Sequence, residues 1–424
     1  MSDASGPSWL DQVGGIAERG RAILRLRRFG NLERLCRRLI EQRGEATSIA
    51  LAAAIVEAVE GMDAAETEAF LRLLLEEFST DAGRVEEAIE RWRSEHDRKA
   101  LDHLWQVAEP PRQELFRRLN VAPGGTQAIV RLRARLLDLV AEEPDLELVD
   151  RDLRHLLGSW FNRGFLQVEE ISWRTPATIL EQLIEYDAVH AITGWDDLRR
   201  RLAADRRCFA FFHPSLPEVP LIFVEVALTR GLATAIGPLI DPERELGEPA
   251  AADTAIFYSI NSTQAGLRGI SFGSFLIKQV VAELSARLPR LRRFATLSPL
   301  PSLASALRAT GDPVLAGLAD QRAPHPEPAR HQLERLALAY LLRARRDGRA
   351  ADPVANFHLA NGARLERINP DADLSEHGRD SCGVMVNYLY EPDRLEVNHE
   401  RYVERGEVAT SRGLAVRARG LKWP

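Results

Sequence analysis

The amino-acid sequence predicts an α-helical N-terminal bundle at residues 1–190 and an α/β or α+β domain with a mixed central sheet at 191–424. Three observations support this prediction. A chain of 424 residues exceeds what one hydrophobic core usually serves. Helical spacing of apolar residues dominates up to about residue 145. Short runs rich in β-branched and aromatic residues begin near residue 190.

The helical part consists of stretches with apolar residues at three- and four-residue intervals, separated by Gly, Asp or Pro. No fixed repeat period emerges, which favours an irregular bundle over a solenoid. The helical stretches are residues 46–62, 66–78, 84–108 and 126–143.

The second part mixes strands with helices. Helical patterns at 275–291 and 331–348 separate several of the strand-like runs, which is typical of an α/β or α+β domain. The predicted strands are "CFAFFHP" (208–214), "PLIFVEVALT" (220–229), "TAIFYSIN" (254–261), "FATLSPL" (294–300) and "CGVMVNYLY" (382–390).

Composition excludes several function classes. The net charge of −6 argues against general nucleic-acid binding, because a polyanionic partner normally needs a basic surface. No apolar run reaches the roughly 20 residues of a membrane-spanning helix, and the N-terminus lacks the layout of a signal peptide. Three widely spaced cysteines, Cys36, Cys208 and Cys382, give neither a disulfide framework nor a metal pattern. We therefore expect a metal-free cytoplasmic protein with no membrane or nucleic-acid partner.

Residues 254–281 read as a strand, a polar turn containing glycines, and an amphipathic helix. Gly266, Gly269 and Gly273 permit tight turns and close approach of a ligand, and backbone amides near a helix start bind phosphate oxygens. The spacing fits neither of the common nucleotide-binding glycine motifs. The plain alternative is a strand-to-helix connection with glycine caps.

The stretch "DPVANFHLANGARLERIN" (352–369) predicts a helix of about two turns. Asp352 suits the N-cap, Pro353 the first helical position, and Asn361-Gly362 a left-handed exit. His358 lies in the middle of this helix. It is either a packed side chain or a proton donor, and an ordinary pKa near 6.5 would suit the second role.

"RGISFGSFL" resembles the pyrophosphate loop of GNAT acyltransferases, Arg-Gly-x-Gly-x-Gly-x-x-Leu, except that Ser271 replaces the middle glycine. Five motifs follow one another over the second part of the chain: "FFHPSLPEVPLIFVEVALT", "AIFYSINSTQAGLRGISFG", "FATLSPLPSL", "DPVANFHLANGA" and "CGVMVNYLY". In these motifs and their order, the chain resembles the malonyl-CoA decarboxylase family over roughly residues 165–390.

This resemblance implies an oligomerising helical domain joined to a GNAT-like catalytic domain that converts malonyl-CoA to acetyl-CoA and CO2, an activity of fatty acid metabolism. It implies no cofactor, since coenzyme A is part of the substrate, and a homo-oligomer formed through the helical domain. The residues implied to bind substrate and CoA are Ser262, Gln264, Gly266, Arg268, Gly269, Ser271, Gly273 and Ser274.

Loss of CO2 leaves negative charge shared between the α-carbon and the thioester oxygen, so catalysis needs donors to that oxygen and an acid for the carbon. An arginine on the departing carboxylate would mainly stabilise the ground state, which favours neutral donors. The family's "NFHL" motif makes His358 the predicted acid. Ser259 is the predicted partner of the malonyl group, with Ser262 left open as an alternative.

Tyr388 and Asn356 complete the predicted catalytic set, the first as a donor to the thioester or the histidine and the second as an orienting group. A core tyrosine with a satisfied hydroxyl is the alternative for Tyr388. His213 is interpreted as structural. Glu225 lies inside an apolar strand and needs a partner if its side chain points inward.

Two other functions share the glycine loop. One is a GNAT acyltransferase that moves an acyl group from CoA to an amine. The other is a non-catalytic CoA-binding module. Neither explains the "NFHLANGA" motif at 356–363.

Overall fold

A computed structural model describes residues 31–187, 189–270 and 275–424. Contacts between Cα atoms divide these residues into two compact units. The helical unit contains 31–162 and the short segment 264–270, and the sheet unit contains the remaining described residues. The division falls at 162/163 rather than near 190, because the strand Gln167–Ile171 pairs with Arg206–Phe212 of the sheet.

The helical unit confirms the predicted run of helices. Asp63 forms a capping box with Glu66, and Asp97 accepts a hydrogen bond from the amide of Ala100. The stretch 84–108 forms two helices, because His96 adopts a left-handed conformation (φ 48°) between them. The helices are α1 (31–41), α2 (Glu45–Glu60), α3 (Ala64–Glu77), α4 (Ala82–Glu95), α5 (Arg98–Ala108), α6 (Pro111–Asn120), α7 (Gly125–Leu139) and α8 (Glu147–Trp160).

The sheet unit begins with a strand that composition did not indicate and ends with two short helices. Its strands are β1 (Gln167–Ile171), β2 (Arg206–Phe212), β3 (Ile222–Thr229), β4 (Thr254–Ser262), β5 (Arg293–Thr296), β6 (Ser298–Pro299), β7 (Arg345–Arg346), β8 (Arg349–Ala350), β9 (Arg364–Asn369) and β10 (Met385–Leu389). Its helices are α9 (Ala177–Tyr186), α10 (Trp195–Arg201), α11 (Gly237–Ile240), α12 (Phe275–Arg287), α13 (Leu303–Ala309), α14 (Pro313–Asp320), α15 (Glu327–Arg343), α16 (Pro353–Ala360), α17 (Leu395–Arg405) and α18 (Arg412–Arg417).

The main sheet is mixed, as predicted. Its strand order is β1-β2-β3-β4-β5-β10-β6, and β9 pairs with β10 outside this path. Strands β4 and β5 run parallel, whereas the other pairs are antiparallel. A helical part followed by a mixed α/β part therefore confirms the predicted fold class.

Strands β4 and β5 separate halfway along β4. Their last parallel pair is Phe257 with Thr296, and the amide of Leu297 still donates to the carbonyl of Phe257. Beyond this point β4 continues beside β3 as far as Ser262, while β6 pairs with β10. A register shift between β3 and β4 adds Tyr258 as an extra residue just where the separation begins. Beyond Phe257, therefore, β4 no longer pairs with β5 and keeps only β3 as its neighbour among the described strands.

The two faces of this sheet carry different side chains. On β3, Ile222, Val224 and Val226 share one face, whereas Phe223, Glu225 and Ala227 share the other, because side chains alternate along a strand. Apolar residues fill much of both faces, and each fully buried large side chain contributes about 1.5–3 kcal/mol. No helix among the described residues is long and apolar enough to cross a membrane.

Candidate active site

Helix α16 holds His358 as the sequence predicts. Asp352 accepts hydrogen bonds from the amides of Val354 and Ala355 at the helix start. At the other end Gly362 adopts φ +83°. A Cβ at this position would lie 2.1 Å from the carbonyl oxygen of Leu395, so glycine is required both by conformation and by packing.

His358 is buried among one serine and two tyrosines. Its Nε2 lies 2.9 Å from Ser298 Oγ, and its Nδ1 lies 2.8 Å from the hydroxyl of Tyr390. The imidazole stacks on the ring of Tyr388 with centroids 4.7 Å apart and planes 26° apart. We call His358, Ser298, Tyr388 and Tyr390 the His358 cluster.

Burial keeps this histidine neutral. His358 is 3% exposed, and burial lowers its pKa from 6.5 to about 3. No carboxylate is among its hydrogen-bond partners in the described chain to support an imidazolium. An ordinary pKa near 6.5, as expected from the sequence, would leave part of the imidazole charged near neutral pH. With the lowered pKa the side chain is instead an uncharged imidazole that can donate one hydrogen bond and accept one.

Tyr388 lies where the sequence analysis expected it, next to His358. Its hydroxyl is buried and has no hydrogen-bond partner among the described residues. Burial also raises its pKa well above the usual value, so the phenol keeps its proton. A buried donor without a partner costs about 1–3 kcal/mol, which leaves this O–H available to an acceptor that enters the site.

Asn356 is turned toward α17 and not toward His358. Its Oδ1 accepts a hydrogen bond of 2.9 Å from the hydroxyl of Tyr402, which itself accepts one of 2.8 Å from the amide of Ala350. These contacts hold α16 against α17 and β8. A role for Asn356 in orienting the site is consistent with this position, and it stays a prediction.

Ser259 lies on the opposite face of the sheet from His358. It is aligned with Glu225 on β3, whereas Phe257 is aligned with Val226 and its ring lies 6.4 Å from that of Tyr390. The Ser259 hydroxyl contacts Asp187 Oδ1 at 3.3 Å. The structure therefore does not bring Ser259 and His358 together, because the register of β4 points the two side chains to different sides of the sheet.

The serine next to His358 is Ser298, which the sequence analysis did not single out. It is aligned with Val386 on β10 and lies 60 residues before His358 in the chain. The signal was present, since Ser298 lies within "FATLSPLPSL", one of the five ordered motifs. Ser262, the alternative to Ser259, is aligned with Ile222 and thus lies on the same face as His358, exposed at the end of β4.

Glu225 points inward and has the partner that its burial requires. Its Oε2 accepts a hydrogen bond of 3.0 Å from Arg201, which is 1% exposed. Burial and the negative charge of Asp187 raise the pKa of Glu225 to about 8 despite this arginine. His213 is a separate buried side chain near the end of β2, where its Nδ1 accepts from the amide of Ser215. We call Asp187, Arg201, Glu225, Ser259 and Asn261 the Asp187 cluster.

The described part of the glycine loop belongs to the helical unit. A Cβ on Gly266 would lie 1.8 Å from the carbonyl oxygen of Val130 on α7, so packing requires glycine here, and its role in CoA binding stays a prediction. The buried side chain of Arg133 donates to the carbonyls of Gly266 (2.6 Å) and Arg268 (2.9 Å). Gly269 adopts φ +78° with open space around its Cβ position, and Gln264 is half-buried.

The side of the loop that the sequence predicts to hold phosphates is accessible. Arg268 and Gly269 are exposed. Ser271, Gly273 and Ser274 lie outside the described residues. Among the described residues, no group of three or more His, Cys, Asp or Glu side chains could hold a metal ion.

Comparison with known proteins gives one consistent result. Residues 164–422 match the malonyl-CoA decarboxylase C-terminal domain, and residues 78–161 match the malonyl-CoA decarboxylase N-terminal domain. The mitochondrial malonyl-CoA decarboxylase of Rattus norvegicus is 33% identical, with 82% of this chain and 81% of the relative covered. The corresponding protein of Anser anser anser is 31% identical, with 96% and 91% covered.

Solved structures agree. The malonyl-CoA decarboxylase from Rhodopseudomonas palustris superposes with a TM-score of 0.87 at 47% identity, covering 91% of this chain and 98% of that one. The enzyme from Agrobacterium vitis gives 0.84 at 48% identity, with 92% and 99% covered. With both domain models matched in order and relatives aligned over most of their length, this chain belongs to the malonyl-CoA decarboxylase family.

Proposed function

We infer that this protein is a carboxy-lyase that converts malonyl-CoA to acetyl-CoA and CO2, and we propose that the His358 cluster carries the chemistry. The observation that carries the assignment of residues is the hydrogen bond between Ser298 and His358 in a buried, uncharged setting. Ser298 takes the place that the sequence analysis gave to Ser259.

An uncharged cluster suits this reaction. When the bond between the α-carbon and the carboxylate breaks, CO2 leaves and its electron pair passes to the thioester enolate. A cation placed on the carboxylate would stabilise charge that is about to disappear, whereas neutral donors become stronger partners as the enolate oxygen gains charge. The unpartnered hydroxyl of Tyr388 is the donor proposed for that oxygen.

The α-carbon then needs one proton. Tyr390 OH lies 2.8 Å from His358 Nδ1, and the proposed route takes the phenol as the donor, which puts the imidazole proton on Nε2. Nε2–H donates to Ser298, whose own O–H is left free to protonate the carbon. The serine regains a proton from Nε2 and the imidazole regains one from Tyr390, which is replenished from water.

The first experiment measures CO2 release from malonyl-CoA by the purified protein after treatment with a chelator and without ATP or biotin. We expect turnover by the wild-type protein. His358→Ala and Ser298→Ala should each lower kcat about 10²-fold or more, because each removes a link in the proton route. Acetyl-CoA affinity should change by less than about threefold.

His213→Ala is the matched control, since His213 is another buried histidine that lies outside the His358 cluster. Its turnover should stay within about threefold of wild type. Equal losses in all three variants would identify a folding defect and reject the assigned roles. CoA release that depends on an added amine would instead indicate an acyltransferase, and acetyl-CoA binding without any turnover would indicate a binding module.

The coenzyme A phosphates are proposed to bind at the glycine loop, through Arg268 and the backbone amides around Gly269. Support comes from the exposure of both residues and from the positive φ of Gly269, which directs amides in a way that most residues do not allow. Gly269→Val should weaken acetyl-CoA binding about tenfold. Gly311→Val is the control, because Gly311 has a similar φ of +75° and open space around it. Unchanged affinity in Gly269→Val would move the phosphate site elsewhere.

The homo-oligomer is proposed to form through α4 and α5. Leu101 and Trp105, one turn apart on α5, are 53% and 74% exposed. Large exposed apolar side chains of this kind are enriched in protein interfaces. A second copy of the chain is the proposed occupant. Trp105→Glu should lower the molar mass measured by light scattering, and a wild-type protein with the mass of one chain would reject the proposal.

A cytoplasmic location is also proposed. The cysteines Cys36, Cys208 and Cys382 are all free and buried, as suits a reducing compartment. Fractionation of cells that express the protein tests this, and recovery in a membrane or extracellular fraction would contradict it.

A further inference from the structure

Asp187 joins the second half of β4 to the loop after α9. Its Oδ1 accepts hydrogen bonds from Asn261 Nδ2 at 2.8 Å and Ser259 Oγ at 3.3 Å. The same oxygen accepts from the backbone amides of Val189 and His190 at 3.1 and 3.0 Å. One carboxylate oxygen therefore connects two side chains of β4 with two amides of the neighbouring loop.

Arg201 supports this carboxylate from the other side. It lies 3.9 Å from Asp187 Oδ2, and it donates to Glu225 at 3.0 Å and to Asp197 at 3.0 Å. It also donates to the carbonyl of His190 at 3.1 Å. Because several acceptors fix the position of Arg201, the position of Asp187 beside it is fixed as well.

The Asp187 cluster and its neighbours His190 and Tyr258 contain buried polar atoms without a hydrogen-bond partner, which an arrangement that served stability alone would avoid. Asp187 Oδ2, His190 Nε2, Glu225 Oε1 and Tyr258 OH are buried and have no hydrogen-bond partner among the described residues. Such groups cost free energy, and native proteins tolerate them mainly where they serve another purpose.

The two β4 residues that Asp187 holds lie just where β4 leaves β5. Ser259 and Asn261 follow the last parallel pair, Phe257 with Thr296. Between and beyond them, Ile260 and Ser262 face the other side of the sheet, the side of His358. Fixing Ser259 and Asn261 therefore fixes the half of β4 that has separated from β5, and with it the side chains that face the side of His358.

We propose that Asp187 is a positioning residue for acyl-CoA binding, which acts through Ser259 and Asn261 to hold in place the second half of β4, whose Ile260 and Ser262 face the side of His358. It touches neither the His358 cluster nor the reacting atoms. The inference rests on the proposed function in that acyl-CoA is taken as the ligand.

The test compares binding with turnover. Acetyl-CoA affinity is measured by titration calorimetry, and KM and kcat are measured with malonyl-CoA, for Asp187→Ala and Asn261→Ala. We expect Kd and KM to rise about tenfold in both, the equivalent of about 1.4 kcal/mol, with kcat within about threefold of wild type. Asp187→Asn keeps a side-chain oxygen that can accept from β4 and should recover most of the affinity.

Asp197→Asn is the matched control. Asp197 also binds Arg201, but its other partner is Thr193, which is not on β4. Its Kd and KM should stay within about twofold of wild type. If Asp187→Ala does not fold, Asn261→Ala decides, because it leaves Asp187, Arg201 and Glu225 in place.

Two results would overturn the proposal: folded variants with lowered melting temperature and unchanged Kd, or a fall in kcat with unchanged Kd. Failure of the proposed function looks different. A wild-type protein that binds acetyl-CoA but releases no CO2 from malonyl-CoA would end the decarboxylase assignment, while the comparison of Kd values would still test Asp187.

Discussion

The two buried polar clusters on opposite faces of the same sheet differ in charge. The Asp187 cluster contains the carboxylate of Asp187, the guanidinium of Arg201 and the carboxyl group of Glu225, all at most 5% exposed. The His358 cluster contains an imidazole, a serine hydroxyl and two phenols, with no ionised group at neutral pH. Buried charge is therefore found on the side of the sheet where β4 is held in place. It is absent from the His358 cluster, where charge develops and disappears during the proposed reaction.

Electrostatics explain why the separation is useful. A buried charge strongly affects its neighbours because the surroundings screen it poorly. A full charge beside His358 would shift the balance between carboxylate and enolate throughout the reaction. Placing Asp187 and Arg201 on the other side of the sheet keeps an ion pair beside β4 without that disturbance.

The greatest change in stability is expected when Arg201, the cation of the Asp187 cluster, is replaced. Arg201→Met should lower the free energy of unfolding by about 3–5 kcal/mol, because it leaves the buried carboxylate of Asp187 without its counter-ion. Denaturant unfolding measures this. Adding Asp187→Asn to Arg201→Met should restore part of the loss. A change below about 1 kcal/mol for Arg201→Met would mean that the ion pair contributes little and would weaken the contrast between the faces.

The next effect falls on the neutral cluster. Tyr390→Phe keeps the ring but leaves His358 Nδ1 without its donor, so the imidazole no longer has one fixed tautomer. We expect kcat for malonyl-CoA to fall about tenfold or more, with stability reduced by only about 1 kcal/mol. Steady-state kinetics and thermal unfolding measure both quantities.

Tyr340→Phe provides the control for the loss of a buried phenol, since Tyr340 lies on α15 with its ring next to Trp423. Its kcat should match wild type. An unchanged kcat in Tyr390→Phe would remove this tyrosine from the proton route and leave His358 to be oriented by Ser298 alone.

The smallest effect is a dependence of stability on pH. The pKa of Glu225 is raised from 4.5 to about 8 in the folded protein. Stability from its protonated form is complete below pH 4.5 and is lost as the pH rises toward 8. Glu225→Gln, which cannot ionise, should flatten the curve of unfolding free energy against pH between 5 and 8. Parallel curves for both proteins would show that Glu225 is ionised throughout.

Local features of the site followed from the sequence, and long-range pairings did not. The caps at Asp352 and Gly362 depend on neighbouring residues, so the helix around His358 was predicted within a residue or so. The partner serine depends on the register of β4 and the position of β6 beside β10, which no local pattern encodes. Ser259 and Ser298 are both buried serines on strands, but only Ser298 lies on the side of the sheet that carries His358.

Other differences have equally specific causes. Strands β1 ("QVEEI") and β9 ("RLERIN") were missed because charged residues interrupt their apolar pattern, and pairing with β2 and β10 defines them instead. Helices α4 and α5 share one periodicity, and only the conformation of His96 divides them. The glycine motif predicts Gly266 from its place in the loop, and the close approach of the Val130 carbonyl is a packing reason for glycine that the motif does not contain.

The contact between Gly266 and α7 also limits how this gene could be divided. Residues 264–270 interrupt the sheet unit in the chain, yet their packing partners, Val130 and Arg133, are encoded more than a hundred codons earlier. A fragment that starts after residue 162 would express this segment without its support. Shuffling the C-terminal half onto another N-terminal half would therefore require a replacement for α7, so the two halves are expected to be inherited together.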